Sequence, residues 1–431
     1  DILLEKAAQY SIEKAADIAR VEPADLKKLA KMYALHDPAV LRVGWGLERN
    51  RNGGQAAAAI LALPAVLGKF GLPGSGYTLS NSNAHKVDAR ELTDPISWNT
   101  RIINMTKLGQ VLLEENSPPV KALFNYNCNP VATVPNQSAV IAGLEREDLF
   151  TIVSEQVMTD TAKYADILLP AVTFLQASGP NPAPARPVTF LEQQEIKKPY
   201  GSYSMHYLEP VIDAMGEAKP NEELFALLGR AMGWQDKAFA DDTEAYLERA
   251  AQATKGMGKP LNLEKLRQEK IAFFDFPGRS PVQFKNVFPW TPDGKINLAP
   301  GNLGANPFVY VPDDETGYPL ALISPATDQL ISSSLGEFNL PVLYVIMHPE
   351  DASARSLEKG ARVRVYNNQA EVIVPLRTSA RVRKGVAVIP KGAWRHASLN
   401  GLTSTALAPD TISSVGGGAC FNDARVEVEA A

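Results

Sequence analysis

Ala162-Lys163-Tyr164-Ala165-Asp166-Ile167-Leu168-Leu169-Pro170 ends the stretch that decides the fold, which runs from Lys121 to Leu175. Upstream, Val120-Lys121-Ala122-Leu123-Phe124-Asn125-Tyr126 is a short apolar run that ends in Asn127-Cys128-Asn129-Pro130. Such a run reads as a buried strand, and Pro130 lacks the N–H needed to continue its ladder. Ser138 to Arg146 carries Ala, Val, Ile and Leu at helical spacing, and Leu149 to Glu155 is a second strand run that ends on an acid. Asp166 to Pro170 is a third, shorter run. Strand, helix and strand with polar strand ends build a parallel sheet, whose ligands sit beyond the carboxyl ends of its strands. Asn129 and Glu155 occupy those ends and are the first candidate site residues.

Composition narrows the function classes. With 431 residues, 45% of them hydrophobic, the chain can bury large cores and should hold two or three domains. Its 43 basic and 48 acidic residues are mixed throughout, for a net charge of −5, so no basic stripe for nucleic acid and no polybasic membrane anchor is expected. The longest apolar stretch, Ala56 to Leu67, is too short to span a bilayer and contains Pro64. No signal peptide opens the chain. Cys128 and Cys420 cannot form a disulfide framework or supply the four ligands of an iron–sulfur cluster.

The same stretch carries a family resemblance. Ser154-Glu155 with Thr159-Asp160-Thr161-Ala162, then Tyr164-Ala165-Asp166-Ile167-Leu168-Leu169-Pro170-Ala171, resembles the "TxTAxxADxxLPA" pattern of molybdopterin oxidoreductases, the family of dimethyl sulfoxide reductase and formate dehydrogenase. Asn127 to Gln137 is similar to that family's "NPxxxxPN" turn. The resemblance covers almost the whole chain but only the later part of the family's length. It therefore implies a segment upstream of Asp1, which would supply the metal ligand, much of one pterin site and any iron–sulfur cluster. On that reading this chain alone would be a folded, inactive fragment.

From the N-terminus, Ser11 to Ala19 and Pro23 to Leu35 read as helices, Pro23 at a favoured first-turn position. Ala39 to Trp45 reads as a strand, and Gln55 to Leu67 as an Ala-rich helix. Gly44-Trp45-Gly46-Leu47-Glu48-Arg49-Asn50 lies between them, and a strand, glycine turn and helix start form a natural anion cradle. A tight packed turn is the plain alternative. The resemblance adds a "GxGxxR…NGG" turn, matched by Gly44, Gly46, Arg49 and Asn52-Gly53-Gly54. His85, in the polar loop that follows, reads as a solvated loop histidine.

Val172-Thr173-Phe174-Leu175-Gln176 recurs as Val188-Thr189-Phe190-Leu191-Glu192, with a Pro- and Ala-rich stretch between, and reads as an exposed insertion. Helices are expected at Glu222 to Met232, with Leu224, Leu227, Leu228 and Met232 as its core face, at Asp242 to Gln252, and at Leu263 to Phe273. Pro277 to Pro319 reads as a linker with short strands. Leu320 to Pro325, Val342 to Met347, Arg362 to Tyr366, Glu371 to Leu376 and Val386 to Pro390 are short β runs, as in a small closed barrel. Here Ile323-Ser324-Pro325-Ala326-Thr327, Ser332-Ser333-Ser334, His348-Pro349-Glu350 and Gly416-Gly417-Gly418 resemble the molybdopterin dinucleotide-binding domain, a six-stranded double-psi barrel. His348 reads as a structural turn cap.

The expected fold is α/β: a parallel-sheet dinucleotide-binding domain (1–175), an insertion loop and helical return segment (176–300), and a double-psi-type β-barrel domain (301–431). The resemblance implies a bis-(molybdopterin guanine dinucleotide) cofactor with molybdenum or tungsten, a small substrate such as formate or an oxo-anion or oxide, and an electron-transfer subunit. It leaves prokaryotic cytoplasm and periplasm both open. Cofactor-binding residues on this reading are Gly44, Gly46, Arg49, Asn129, Pro130, Glu155, Thr161, Asp166, Ser324, Thr327, Ser333, Ser334 and Thr405. Glu155 is the leading candidate for the guanine donors or ribose hydroxyls. Asp166 is the second, with a turn-holding role as its alternative. Ser332 and Thr405 stand where the family has Asn, and a hydroxyl offers less than a planar amide. That departure favours a competing reading, a redox-silent structural or assembly subunit. A plain nucleotide-binding α/β protein is a third.

Overall fold

The computed structural model describes residues 2–79, 99–173, 175–176, 202–207, 210–236, 239, 243–253, 261–275, 282–286, 291–312, 316–330, 332–338 and 342–431. His85 and the second copy of the repeated segment lie outside these residues. Two compact units emerge, each discontinuous in sequence: 1–44, 58–100 and 171–308 form the first, and 45–57, 101–170 and 309–431 the second.

The first unit begins with α1 (Ile2–Ala7), α2 (Ile12–Ala19) and α3 (Pro23–Leu35). Ser11 caps α2, its hydroxyl accepting from Lys14 N at 3.1 Å, and Pro23 starts α3. β1 (Val40–Arg42) runs to the Gly44 turn, α4 (Gly53–Val66) follows with residues 53–57 assigned to the second unit, and β2 (Gly76–Thr78) pairs with β1 in parallel.

In the second unit come α5 (Leu108–Glu114), β3 (Ala122–Tyr126), α6 (Pro130–Thr133), α7 (Gln137–Leu144), β4 (Phe150–Glu155) and β5 (Ile167–Pro170). β3, β4 and β5 form a parallel sheet in that order, with Tyr126 opposite Ser154 and Glu155 opposite Pro170. Leu112, Val131, Val134, Val140, Leu144 and Leu149 make its core. Burying each such side chain stabilises by about 1.5–3 kcal/mol.

The first unit resumes with β6 (Ser202–His206), α8 (Asn221–Ala231), α9 (Thr243–Ala253), α10 (Leu263–Glu269) and β7 (Ile271–Asp275). Two expectations are corrected here. The helix expected to reach Phe273 ends at Glu269, where Lys270 turns left-handed (φ 62°) and Ile271–Asp275 pairs antiparallel with β6. The core face of α8 is Ala226 and Gly229, the latter against Phe239, whereas Leu227, Leu228 and Met232 are exposed.

The rest of the second unit is a closed six-stranded barrel. Its strands are β8 (Leu320–Ile323), β9 (Val345–Met347), β10 (Arg362–Tyr366), β11 (Glu371–Thr378), β12 (Val386–Val388) and β13 (Arg425–Ala430), in the order β10-β11-β9-β12-β8-β13. Alternation sends Val363, Val365, Val372, Val374, Leu376, Val426 and Val428 inward. β13 was not anticipated, because its Arg425-Val426-Glu427-Val428-Glu429 pattern has only two apolar positions; opposite charges from Arg364 and Arg355 receive its glutamates. His348 does cap a turn: its Nδ1 accepts from Glu350 N at 3.1 Å at the start of α11 (Pro349–Ser353).

Candidate functional site

The carboxyl edge of the β3-β4-β5 sheet gathers the polar groups. After β3 the chain turns through Asn127 (φ 54°), with Asn125 Nδ2 donating to Cys128 O at 2.8 Å and Cys128 Sγ to Asn125 Oδ1 at 3.0 Å. That latch fixes the turn which delivers Asn129, 3% exposed, to the strand end. Asn129 Oδ1 accepts from Thr161 N at 3.2 Å and from Thr161 Oγ1 at 2.7 Å, while its Nδ2 is buried with no partner. Ser154, 3% exposed near the end of β4, also has a buried hydroxyl with no partner. Leaving a buried polar group unpaired costs about 1–3 kcal/mol, so two at one edge call for an external partner.

Glu155 ends β4 beside them. Its Oε1 accepts from Gln156 N at 2.9 Å. Burial holds its carboxyl above the usual range; the Gln156 hydrogen bond opposes that rise, and Glu337 adds to it. Burial, and then the Glu155 charge, push the Cys128 thiol up as well. A half-buried carboxylate of this kind is eased by a ligand that brings N–H or O–H donors.

Other candidates are placed differently. Thr161 is fully buried, and its hydroxyl accepts from Val131 N at 3.0 Å while donating to Asn129, so it is a clamp on the Asn-Pro turn. Pro130 opens α6 and is buried. Asp166 lies at the opposite, amino edge of the sheet. Its carboxylate accepts from Thr151 N at 2.6 Å and its N–H donates to Thr151 O at 2.8 Å, so it ties the start of β5 to β4. Thr405, 3% exposed, sits in a buried 3-10 turn with its hydroxyl 3.1 Å from Thr403 Oγ1. Gln137, fully buried, ties that turn to the sheet segment: Oε1 accepts from Thr403 N at 2.8 Å and Nε2 donates to Val131 O at 2.7 Å.

Asp160 makes a similar tie. Fully buried, it accepts from Arg395 N at 2.6 Å and pairs with Lys163 at 2.9 Å. Neither Gln137 nor Asp160 was singled out by sequence reasoning, since their partners lie more than 200 positions away.

On the barrel side, Ser324 is buried, and Thr327 and Ser333 are half-buried. Thr327 lines a small cleft with Leu330, Tyr344, Trp394 and His396. Ser334 is exposed. Trp394 Nε1 donates to Ser333 O at 2.8 Å, fixing that loop. Ser332 has φ 56°, a left-handed conformation in which Asn is enriched. Gly392 (φ 84°) lies so close to Ser332 that a Cβ there would be 1.4 Å from Ser332 O.

At the glycine turn, an added Cβ on Gly44 or Gly46 would meet nothing within 4 Å, so neither glycine is held by tight packing. Arg49 lies over the Phe421 ring, 4.6 Å from its centroid, and its Nη2 is buried with no partner. Burial draws its pKa down, with Glu48 opposing. Among the described residues no group of three or more His, Cys, Asp or Glu could hold a metal ion, and no helix is long and apolar enough to cross a membrane.

Residues 7–228 match the molybdopterin oxidoreductase family, and residues 329–417 match the molybdopterin dinucleotide-binding domain. YoaE, a probable oxidoreductase of Bacillus subtilis (strain 168), is 31% identical over 449 residues, covering 99% of this chain and 62% of YoaE. Trimethylamine-N-oxide reductase of Haemophilus influenzae is 25% identical over 456 residues, covering 89% of this chain and 52% of the relative. Among solved structures, acetylene hydratase from Pelobacter acetylenicus shares the fold, with a TM-score of 0.74 at 20% identity over 99% of this chain and 66% of that one. The chain spans 62% and 52% of the length of the two curated relatives.

Proposed function

Because this chain belongs to the molybdopterin oxidoreductase family, we propose that it is the dinucleotide-holding part of a molybdenum or tungsten bis-(molybdopterin guanine dinucleotide) oxidoreductase. The observation that carries the reading is the carboxyl edge of the parallel sheet, where Asn129 Nδ2 and Ser154 Oγ are buried without partners next to the half-buried Glu155. A dinucleotide fits that donor set. Its ribose and guanine carry acceptors for Asn129 and Ser154, and N–H and O–H donors for Glu155. Its phosphates suit the open turn at Gly44 and Gly46 and the unpartnered edge of Arg49. When bound, the metal cofactor would supply two-electron redox chemistry. The protein's part is to orient the nucleotide ends, through the Thr161 clamp on Asn129 and the Gln137 tie to the 403–405 turn, and to keep them dry.

The barrel is of the double-psi type, supported by its mixture of parallel (β9–β11, β8–β12) and antiparallel pairs. Residues 1–175, 176–300 and 301–431 serve as cofactor-binding, connecting and dinucleotide-binding segments. The substrate is an oxide, as relatives named for reduction of trimethylamine N-oxide and dimethyl sulfoxide suggest, with formate second. An electron-transfer subunit and an upstream segment complete the enzyme.

Two observations favour a second reading, the redox-silent subunit. The Thr405 hydroxyl is engaged within the fold, and Ser332 adopts a backbone conformation better suited to Asn. Calorimetric titration with GDP, ADP and CDP tests the first. GDP should bind most tightly, and Glu155→Gln should remove the preference; equal or absent binding of all three nucleotides would sink the guanine dinucleotide assignment.

A further inference from the structure

The glycine turn is held from the far end of the sequence. Just before β13 the chain makes a 3-10 turn, Phe421–Asp423, and each of its three residues meets a different point of the 46–51 segment. Phe421 carries the Arg49 guanidinium over its ring, 4.6 Å from the centroid. Asn422 Nδ2 donates to Gly46 O at 3.4 Å. Asp423 takes Arg51 twice. Its carboxylate accepts from the Arg51 backbone N–H, at 3.2 Å to Oδ2 and 3.4 Å to Oδ1, and Oδ2 lies 3.8 Å from Arg51 Nε.

The loop ahead of that 3-10 turn adds to the grip. Ser414 N donates to Arg51 O at 3.0 Å, and a Cβ on Gly54 would come within 2.4 Å of Val415. A Cβ on Gly53 would lie 1.9 Å from Leu47 O. Both glycines after Asn52 are therefore demanded by close approaches, one inside the turn and one against the tail. The turn does little to hold itself. Arg49 N reaches Gly46 O at 3.3 Å and Asn50 N reaches Leu47 O at 3.4 Å, both long for backbone bonds, with Asn50 Nδ2 adding Gly46 O at 3.1 Å. An added Cβ on Gly46 would meet nothing within 4 Å, so packing does not fix that end. The tail supplies what the turn lacks.

We propose that Phe421–Asp423 is a template that sets the shape of the glycine turn, with Asp423 as a positioning residue that acts on ligand through Arg51. The inference rests on the dinucleotide reading above and adds a residue that no motif marked. The sign of its effect separates positioning from plain electrostatics. Asp423 is an acid beside a turn read as taking phosphate, so loss of its charge alone would strengthen binding of an anion. Loss of a positioning residue weakens binding instead. The ligand must then order the turn at its own cost, and apparent affinity falls with the fraction of chains already in the binding shape.

Calorimetric titration of the whole chain with GDP, paired with amide hydrogen exchange, tests this in wild type, Asp423→Ala, Asp423→Asn and Phe421→Leu. Asp423→Ala should weaken GDP about fivefold or more although it removes a negative charge. Asp423→Asn keeps an oxygen for the Arg51 N–H and should recover most of that loss, which a charge effect would not allow. The Arg51 amide should exchange faster in Asp423→Ala than in wild type. Phe421→Leu keeps an apolar side chain but loses the ring under Arg49, so it should weaken GDP in the same direction, and it carries the test if Asp423→Ala does not fold. A merely structural aspartate would lower the melting temperature and leave GDP affinity alone. GDP bound as tightly or more tightly by Asp423→Ala would overturn the positioning role while leaving the dinucleotide reading intact. Unchanged exchange at Arg51, or full GDP affinity in Phe421→Leu, would overturn the template. A wild type that binds no GDP would sink the dinucleotide reading and the positioning role with it.

Discussion

Gln137→Leu isolates the tie between the sheet segment and the barrel tail. The side chain is fully buried and leucine has a similar volume, so cavity formation is minor. What is lost is donation to Val131 O at 2.7 Å and acceptance from Thr403 N at 2.8 Å, with a weaker bond from Thr403 Oγ1 at 3.3 Å. Both backbone groups become orphans in a site closed to water, at about 1–3 kcal/mol each, and partial relaxation brings the sum to about 3 kcal/mol. For a body the size of the second unit, 1 kcal/mol moves the melting temperature by roughly 2–4 °C, so a fall of about 6–12 °C is expected. Circular dichroism melting of wild type, Gln137→Leu and the neighbouring control Ser138→Ala measures it. A Gln137→Leu protein melting within about 1 °C of wild type would refute the tie.

Glu155→Gln should weaken GDP binding at least about tenfold, since a charge-assisted hydrogen bond is worth about 1.5–3 kcal/mol; unchanged affinity in a titration would refute its role. Because burial raises the Glu155 carboxyl, the folded chain holds that proton more tightly than the unfolded one. Its contribution to stability is therefore full below the unfolded value of about 4.3 and lost as pH rises through the folded one, so urea denaturation of Glu155→Gln should show a shallower decline over that window than wild type. Gly392→Ala should cost about 3 kcal/mol or more, because its Cβ would meet Ser332 O in a backbone region that L residues rarely adopt; a thermal melt like wild type's would contradict the close approach. Ser332→Asn should stabilise by about 0.5 kcal/mol by easing its left-handed φ, read by chemical denaturation, and a loss of stability would count against that account.

What the sequence disclosed follows from the range of the forces involved. Asn129 and Glu155 were legible as strand-end residues because a short apolar run closed by a proline, or by an acid, is a local pattern. β10 and β11 were legible for the same reason, as short β runs over Arg362 to Tyr366 and Glu371 to Leu376 between turn residues. The ties were not. Gln137 to Thr403 and Asp160 to Arg395 are decided by tertiary packing between distant positions, and nothing in the local sequence marks them. The same limit explains Thr161, Thr405 and Asp166: each has ligand-type chemistry, and each spends it on neighbouring protein groups. β13 escaped because its outward positions carry charges that only their barrel partners, Arg355 and Arg364, account for.

The central claim is that the carboxyl-edge residues and the barrel loops hold a molybdopterin dinucleotide. Acid release of nucleotide from the protein isolated from its native host, with GMP and metal quantified together by mass spectrometry, tests it most directly. The account predicts GMP in stoichiometric amount with molybdenum or tungsten. A folded protein that yields neither GMP nor metal would contradict it and leave the redox-silent subunit as the reading.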